Sequence, residues 1–427
     1  MTITENTLDF QVAEMAETLI GSEIIKQAND VNEKIKKGEK IFNLTIGDFD
    51  PKVFPIPTAL LNEIVDAYKS GHTNYPMANG MPDLRKAVSN FIRKYQQLDY
   101  SPDEILISGG SRPLIYAVYK TLIDAGDKVV FPVPSWNNNH YCHLSGAQAV
   151  MVETTADNNF MPTAAQLKPF IKDARMLALC SPLNPTGTVF SKEALEEICL
   201  MVIEENKRRI GTDKPLYIMY DQVYSVLCFG ENKHYDPVSL FPELREYTVC
   251  IDGISKAFAA TGVRVGWAFG PDYIVSKMKS ILSHVGAWSP KAEQVATAKF
   301  LEDENAVNHF LQSFLQGIED RLHGFYQGFL SLRAEGYKVD VISPQAAIYL
   351  TVQFDLFGMK TASGKIISTT QDITDFLCDE AKIAIVPFSS FGSKESNTWY
   401  RLSVGVARIE EIPVIIEQLR SALGNLK

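Results

Sequence analysis

Met176-Leu177-Ala178-Leu179-Cys180-Ser181-Pro182, running on into Leu183-Asn184-Pro185-Thr186-Gly187, is an unbroken apolar run that stops in a rigid turn. Apolar residues in succession, without polar alternation, read as a strand buried on both faces. Such strands belong to a parallel sheet covered by helices. Working outward, the same pattern returns at EILIS (104–108), KVVFP (128–132), QAVMVE (148–153), LYIMYD (216–221), VCIDGIS (249–255) and VGWAFG (265–270). Helical stretches lie between several of them, notably 112–124 and 191–209. The reading is an α/β fold with a large, mostly parallel seven-stranded sheet and helices on both faces.

The flanks differ from this centre. Residues 12–38 read as helical, with a polar break at Gly21-Ser22, and IFNLTIGDFDP follows as a short strand entering a loop. Residues 290–336 are mostly helical. The tail 337–427 returns to short strands such as AAIYLTVQF (346–354) and ends in an amphipathic helix from about 409. The expected division is a large domain over 52–320 and a smaller α+β domain made of 1–51 and 321–427.

Composition narrows the function. Lys+Arg 41 against Asp+Glu 51 gives a net charge of −10, which argues against nucleic acid or an anionic membrane as partner. The basic run Lys207-Arg208-Arg209 reads as a solvated helix end. No apolar run approaches the roughly 18 residues of a membrane span, and MTITENTLDF lacks the pattern of a signal peptide. The cysteines (Cys142, Cys180, Cys199, Cys228, Cys250, Cys378) form no CxxC and accompany no His pair at metal spacing, so reduced core residues in a cytoplasmic protein are expected. No GxGxxG follows any predicted strand, which excludes the usual nicotinamide-binding turn.

In doubly wound sheets ligands sit beyond the carboxyl ends of the strands. After 104–108 comes Gly109-Gly110-Ser111-Arg112-Pro113. Two glycines admit close approach, Ser111 is able to cap the helix, and free N–H groups at a helix start favour a phosphate. A plain strand-to-helix turn reads the same way. After 176–182, Asn184 stands between two prolines with little conformational freedom. Asp221 closes a buried strand, where a carboxylate is costly unless it meets a cation or several donors; an N-cap is the simpler alternative. Lys256 lies at the mouth of the sheet, where desolvation lowers its pKa and makes it a candidate amine nucleophile. Arg264 offers a planar fork for phosphate. Phosphate turn, pyridinium partner and Schiff-base amine together are the requirements of pyridoxal 5'-phosphate.

SPLNPTG, DQVY (221–224) and SKAFAATGVRVGW (255–267) resemble the signatures of class I/II aminotransferases, the fold-type-I pyridoxal-phosphate enzymes related to aspartate aminotransferase. The resemblance runs from NLTIGDFDP to YRLSVGV. It implies an aminotransferase that moves the amino group of an L-amino acid to a 2-oxo acid, with 2-oxoglutarate/glutamate as one pair. Lys256 would form the internal aldimine and shuttle the proton. Asp221 would pair with the ring nitrogen, and Asn184 and Tyr224 would bond its phenolic oxygen. The phosphate would take the Gly110 and Ser111 amides, Ser255 and Arg264, and Trp136 would stack on the ring. Arg401 would grip the substrate α-carboxylate, with Gly47 near it. Tyr75 would reach the neighbouring subunit's phosphate, implying a homodimer. A fold-type-I lyase (β-elimination or decarboxylation) and a non-catalytic effector-sensing domain are the alternatives.

The chain departs from the family pattern at the substrate side chain. The lysine that holds a distal carboxylate in aspartate-specific relatives aligns with Ser111, and their arginine with Ser283-His284. Two expectations follow: Arg112 binds a distal carboxylate, or Trp288, Phe388 and Phe391 line an apolar pocket while Arg112 faces solvent.

Overall fold

The computed structural model describes residues 12–21 and 23–427. The MTITENTLDF segment and Ser22 of the expected break lie outside the described residues. The large sheet consists of β1 (Ile105–Ser108), β2 (Lys128–Val133), β3 (Gln148–Glu153), β4 (Ala174–Cys180), β5 (Tyr217–Asp221), β6 (Thr248–Gly253) and β7 (Gly266–Phe269). Its order is β1-β7-β6-β5-β4-β2-β3, parallel throughout except that β7 runs antiparallel to both β1 and β6.

The period of two along each strand sends side chains to opposite faces. Leu106, Phe131, Met176, Met219 and Ile251 bury into one core, under the helices at Ser111–Leu122 and Asp272–Val285. Ile105, Val130, Leu177, Ile218 and Trp267 bury into the other, under those at Pro82–Gln96, Lys192–Arg209 and Lys291–Glu302. Both faces of the central strands are dry. That is why their sequences read as continuous apolar runs.

A second core gathers Leu44, Phe49 and Phe54 with the C-terminal region. There β8 (Val339–Val341), β9 (Tyr349–Phe354), β10 (Val386–Pro387) and β11 (Trp399–Ser403) form an antiparallel sheet in the order β10-β11-β9-β8. The helix Glu304–Ala334 serves both cores: Val307 and Leu311 pack under the large sheet, and Phe314 through Leu332 pack in the second core. The 320/321 division expected from the sequence therefore falls inside one continuous helix.

The helical stretch 12–38 is interrupted, as expected, into Glu14–Glu17 and Glu23–Lys36. Two sequence expectations need correction here. Ser111 does not cap the helix it opens; Gly110, at φ 96°, occupies the cap position and no side chain takes the cap bond. Arg209 is not solvated. It is 4% exposed, pairs with Glu205 and donates to the carbonyls of Ile171, Lys172, Ala174 and Lys214, which lie where a helix ends and two strands begin. Among the described residues no helix is long and apolar enough to cross a membrane, no cluster suits a metal ion, and the cysteines are unpaired.

Candidate active site

Strand register positions the site. Cys180 pairs with Asp221, and Asp221 with Ile251, so the carboxyl ends of β4, β5 and β6 finish side by side. Gly266 of β7 pairs with both Gly253 and Ser108, which brings the turn after β1 to the same edge. The four loops enclose a cavity of about 580 Å³. Asn184, Asp221, Tyr224, Ser255, Lys256, Arg264, Ser111, Trp136, Gly47 and Arg401 all line it, so nearly every residue singled out from the sequence converges there.

Lys256 projects from the short turn after β6. The protein around it strips water from the amine and pulls its pKa down to about 8, with Asp48 opposing and Arg401, Arg112 and Arg264 adding to the depression. Its Nζ donates to the Gly47 carbonyl at 2.6 Å. Asp221 carries no helix, so the N-cap reading does not apply; its carboxylate accepts from the Val223 amide at 3.3 Å. Burial raises its pKa to about 6, and among the described residues no cation pairs with it. The Tyr224 and Tyr349 hydroxyls bond each other at 2.6 Å.

The turn after β1 is built for close approach. A Cβ at Gly110 would run into the Arg264 guanidinium, which donates to the carbonyls of Gly109 and Thr261 at 2.7 Å each. The Gly110 amide donates to the Ser108 carbonyl at 2.7 Å, closing the tight turn. The Ser111 and Arg112 amides have no acceptor within the helix and remain the donors at this edge, since Pro113 carries no N–H. Across the cavity Arg401 is 2% exposed, donating to the Thr45 carbonyl at 2.6 Å and to Asn184 Oδ1 at 3.0 Å, while its Nε is buried without a partner. A side chain at Gly47 would stand 2.8 Å from the Tyr349 hydroxyl.

Arg112 lines the cavity with its guanidinium 5.3 Å from the Trp136 ring. The apolar alternative is not built as expected. Phe388 and Phe391 are buried in a core behind the cavity with Phe160 and Val386. Trp288 faces a separate hollow, where it meets Tyr75 edge-on at 5.3 Å. Tyr75 is 81% exposed and does not reach the cavity of its own chain. Sequence reasoning missed Tyr349, Thr45, Asp48, Thr261 and the helix residues Ile24 and Ile25. Tyr349 had a signal in its strand, AAIYLTVQF, but nothing in the chain linked it to Tyr224.

These groups fit pyridoxal phosphate. An amine of depressed pKa, a half-buried carboxylate without a cation, a guanidinium beside a helix start and an aromatic wall surround one cavity. A buried guanidinium nitrogen without an acceptor suits a carboxylate-bearing substrate.

The family model described as aminotransferase class I and II matches residues 39–419. The aspartate aminotransferase of Geobacillus stearothermophilus is 30% identical over 376 residues, covering 86% of this chain and 89% of that protein. A bifunctional aspartate aminotransferase and glutamate/aspartate-prephenate aminotransferase of Petunia hybrida is 25% identical, covering 98% and 84%. The aspartate aminotransferase structure from Rhizobium meliloti superposes with a TM-score of 0.89 at 25% identity, covering 98% of this chain and all of that one. With that match across the cavity and both cores, the chain belongs to the class I and II aminotransferases.

Proposed function

We propose that this pyridoxal-phosphate-dependent aminotransferase takes a dicarboxylic amino acid, glutamate or aspartate, as donor and the corresponding 2-oxo acid as product, with 2-oxoglutarate/glutamate as one pair. The observation that carries this reading is a third guanidinium in the cavity. Arg401 suits the α-carboxylate and Arg264 the cofactor phosphate, which leaves Arg112, without an ion-pair partner among the described residues, for a distal carboxylate. Relatives named for aspartate and for glutamate/aspartate-prephenate transfer support the same substrate class.

The cofactor supplies an electron sink for the carbanion formed at the substrate Cα. The chain's residues do the rest. Lys256 holds the cofactor and then moves the Cα proton as base and acid, a task suited to an amine whose pKa is near neutrality. Asp221 would keep the ring nitrogen protonated. Asn184 and Tyr224 would hold the ring's phenolic oxygen, and Trp136 would stack on the ring. Ser111, Ser255 and Arg264 would hold the phosphate, and Gly110 leaves space for it. Gly47 leaves room at Arg401 for the α-carboxylate.

We further read the enzyme as a cytoplasmic homodimer in which Tyr75 completes the partner's phosphate site. The part over 52–320 holds the cofactor, and 1–51 with 321–427 closes over substrate. The exposed Tyr75 and the separate second core support these readings.

The test is a panel of amino acids scored by conversion of the bound cofactor to its amine form. Arg112→Ala should raise KM for glutamate while sparing phenylalanine and leucine. Because Arg112 keeps access to water, the loss should be about 2 kcal/mol, some 30-fold in kcat/KM. Equal loss for acidic and apolar donors would assign Arg112 to the cofactor turn instead.

A further inference from the structure

The loop Leu44–Asp50 enters the cavity from the second core, and one of its residues has no role in the chemistry described so far. Asp48 lines the cavity, and its Oδ1 accepts from the Thr261 hydroxyl at 2.7 Å and from the Phe49 amide at 2.8 Å. Thr261 belongs to the other side of the cavity, in the turn between Lys256 and Arg264. Its carbonyl accepts from Arg264 Nη1 at 2.7 Å. One side-chain bond therefore joins the N-terminal loop to the turn that carries both the lysine and the phosphate guanidinium.

The backbone on either side of Asp48 is pinned as well. The Gly47 carbonyl accepts from Lys256 Nζ at 2.6 Å. The Asp48 carbonyl closes against Gly405, where a side chain would not fit, and the Asp50 amide donates to the Gly405 carbonyl at 3.1 Å. The Asp48–Thr261 bond adds a side-chain restraint to the loop whose carbonyl meets the amine.

We propose that Asp48 is a positioning residue for Lys256: latched to Thr261, its carboxylate holds the Gly47 carbonyl on the lysine amine and sets a negative charge beside it. The inference rests on the assignment of Lys256 as the cofactor-binding amine. The charges around that amine make the carboxylate consequential. Arg401 from β11, Arg112 from the helix Ser111–Leu122 and Arg264 from the lysine's own turn all disfavour a second positive charge, as does burial. Asp221 closes β5, and the Tyr224 and Tyr349 phenols stay neutral, their pKa values raised by burial. Asp48 is the group that pulls the other way on Lys256.

The experiment uses the full-length holoenzyme and follows the visible absorbance of the lysine-bound cofactor against pH. Asp48→Asn keeps an acceptor for Thr261 and Phe49 but removes the charge. Its absorbance midpoint should move down by about half a unit to one unit, because loss of a nearby negative charge disfavours the protonated nitrogen. Asp48→Ser, which removes charge and latch together, should shift in the same direction and also lower kcat. Asp48→Glu should return the midpoint toward the wild-type value. A merely structural Asp48 would lower the melting temperature of the neutral variants and leave their midpoints where they were, which would overturn the proposal. Borohydride reduction with peptide mapping separates this from the underlying assignment. Label on Lys256 with an unmoved midpoint defeats the Asp48 role alone, whereas label on another lysine defeats both.

Discussion

Asp221 shows how much a single residue is asked to carry. Burial raises its carboxyl pKa to about 6, and one backbone amide is its hydrogen-bond donor. A carboxyl left in that state costs stability unless a cation arrives, and the protonated ring nitrogen of the cofactor is such a cation. Asp221→Asn should therefore fold, bind cofactor more weakly and lose roughly a hundredfold or more in kcat, because a neutral amide does not hold the ring nitrogen protonated. Part of the activity should return with an N-methylated cofactor, whose positive charge does not depend on the carboxylate. Absence of any recovery would count against the pairing. Lys256, Asp221 and Asn184 were legible in the sequence because each is a costly or conformationally odd choice at or just after the end of an apolar strand. Tyr349 was not. A tyrosine in an apolar strand is an ordinary core residue until its hydroxyl is seen to meet that of Tyr224.

At the scale of elements, the turn between β1 and the helix Ser111–Leu122 depends on glycines that belong to different strands. A Cβ on Gly266 of β7 would lie 2.8 Å from the Ser111 nitrogen and 2.9 Å from the Gly110 Cα. Backbone has no flexible end to swing aside, so the turn itself must move. Gly266→Ala should weaken cofactor affinity by at least tenfold, about 1.4 kcal/mol, by displacing the first-turn amides. Equilibrium dialysis checks it, and unchanged affinity would show that the turn absorbs the methyl group. The seven strands were readable as mostly apolar runs, with ends off by a residue or two. The antiparallel direction of β7 was not readable, since a run buried on both faces carries no sign of which way it points.

At the scale of the molecule, the cavity draws residues from both cores, and Tyr75 points away from the cavity of its own chain. If it completes the partner's site, a hybrid dimer of one Tyr75→Ala chain and one Lys256→Ala chain has a single intact site. Random reassociation of the two inactive variants should then recover about a quarter of wild-type activity. No recovery would place Tyr75 outside the partner's site. What the sequence by itself determined was the α/β class, the seven strands of the large sheet, and the residue types waiting at their ends. Those are local facts of periodicity, turn chemistry and the cost of burying charge. Only the tertiary structure decided that Phe388 and Phe391 pack into a core while Arg112 faces the cavity, that Arg209 is buried among carbonyls, and that Asp48 meets Thr261. Each of these depends on which distant segments close against each other. Contact between residues 213 positions apart leaves no periodic trace along the chain.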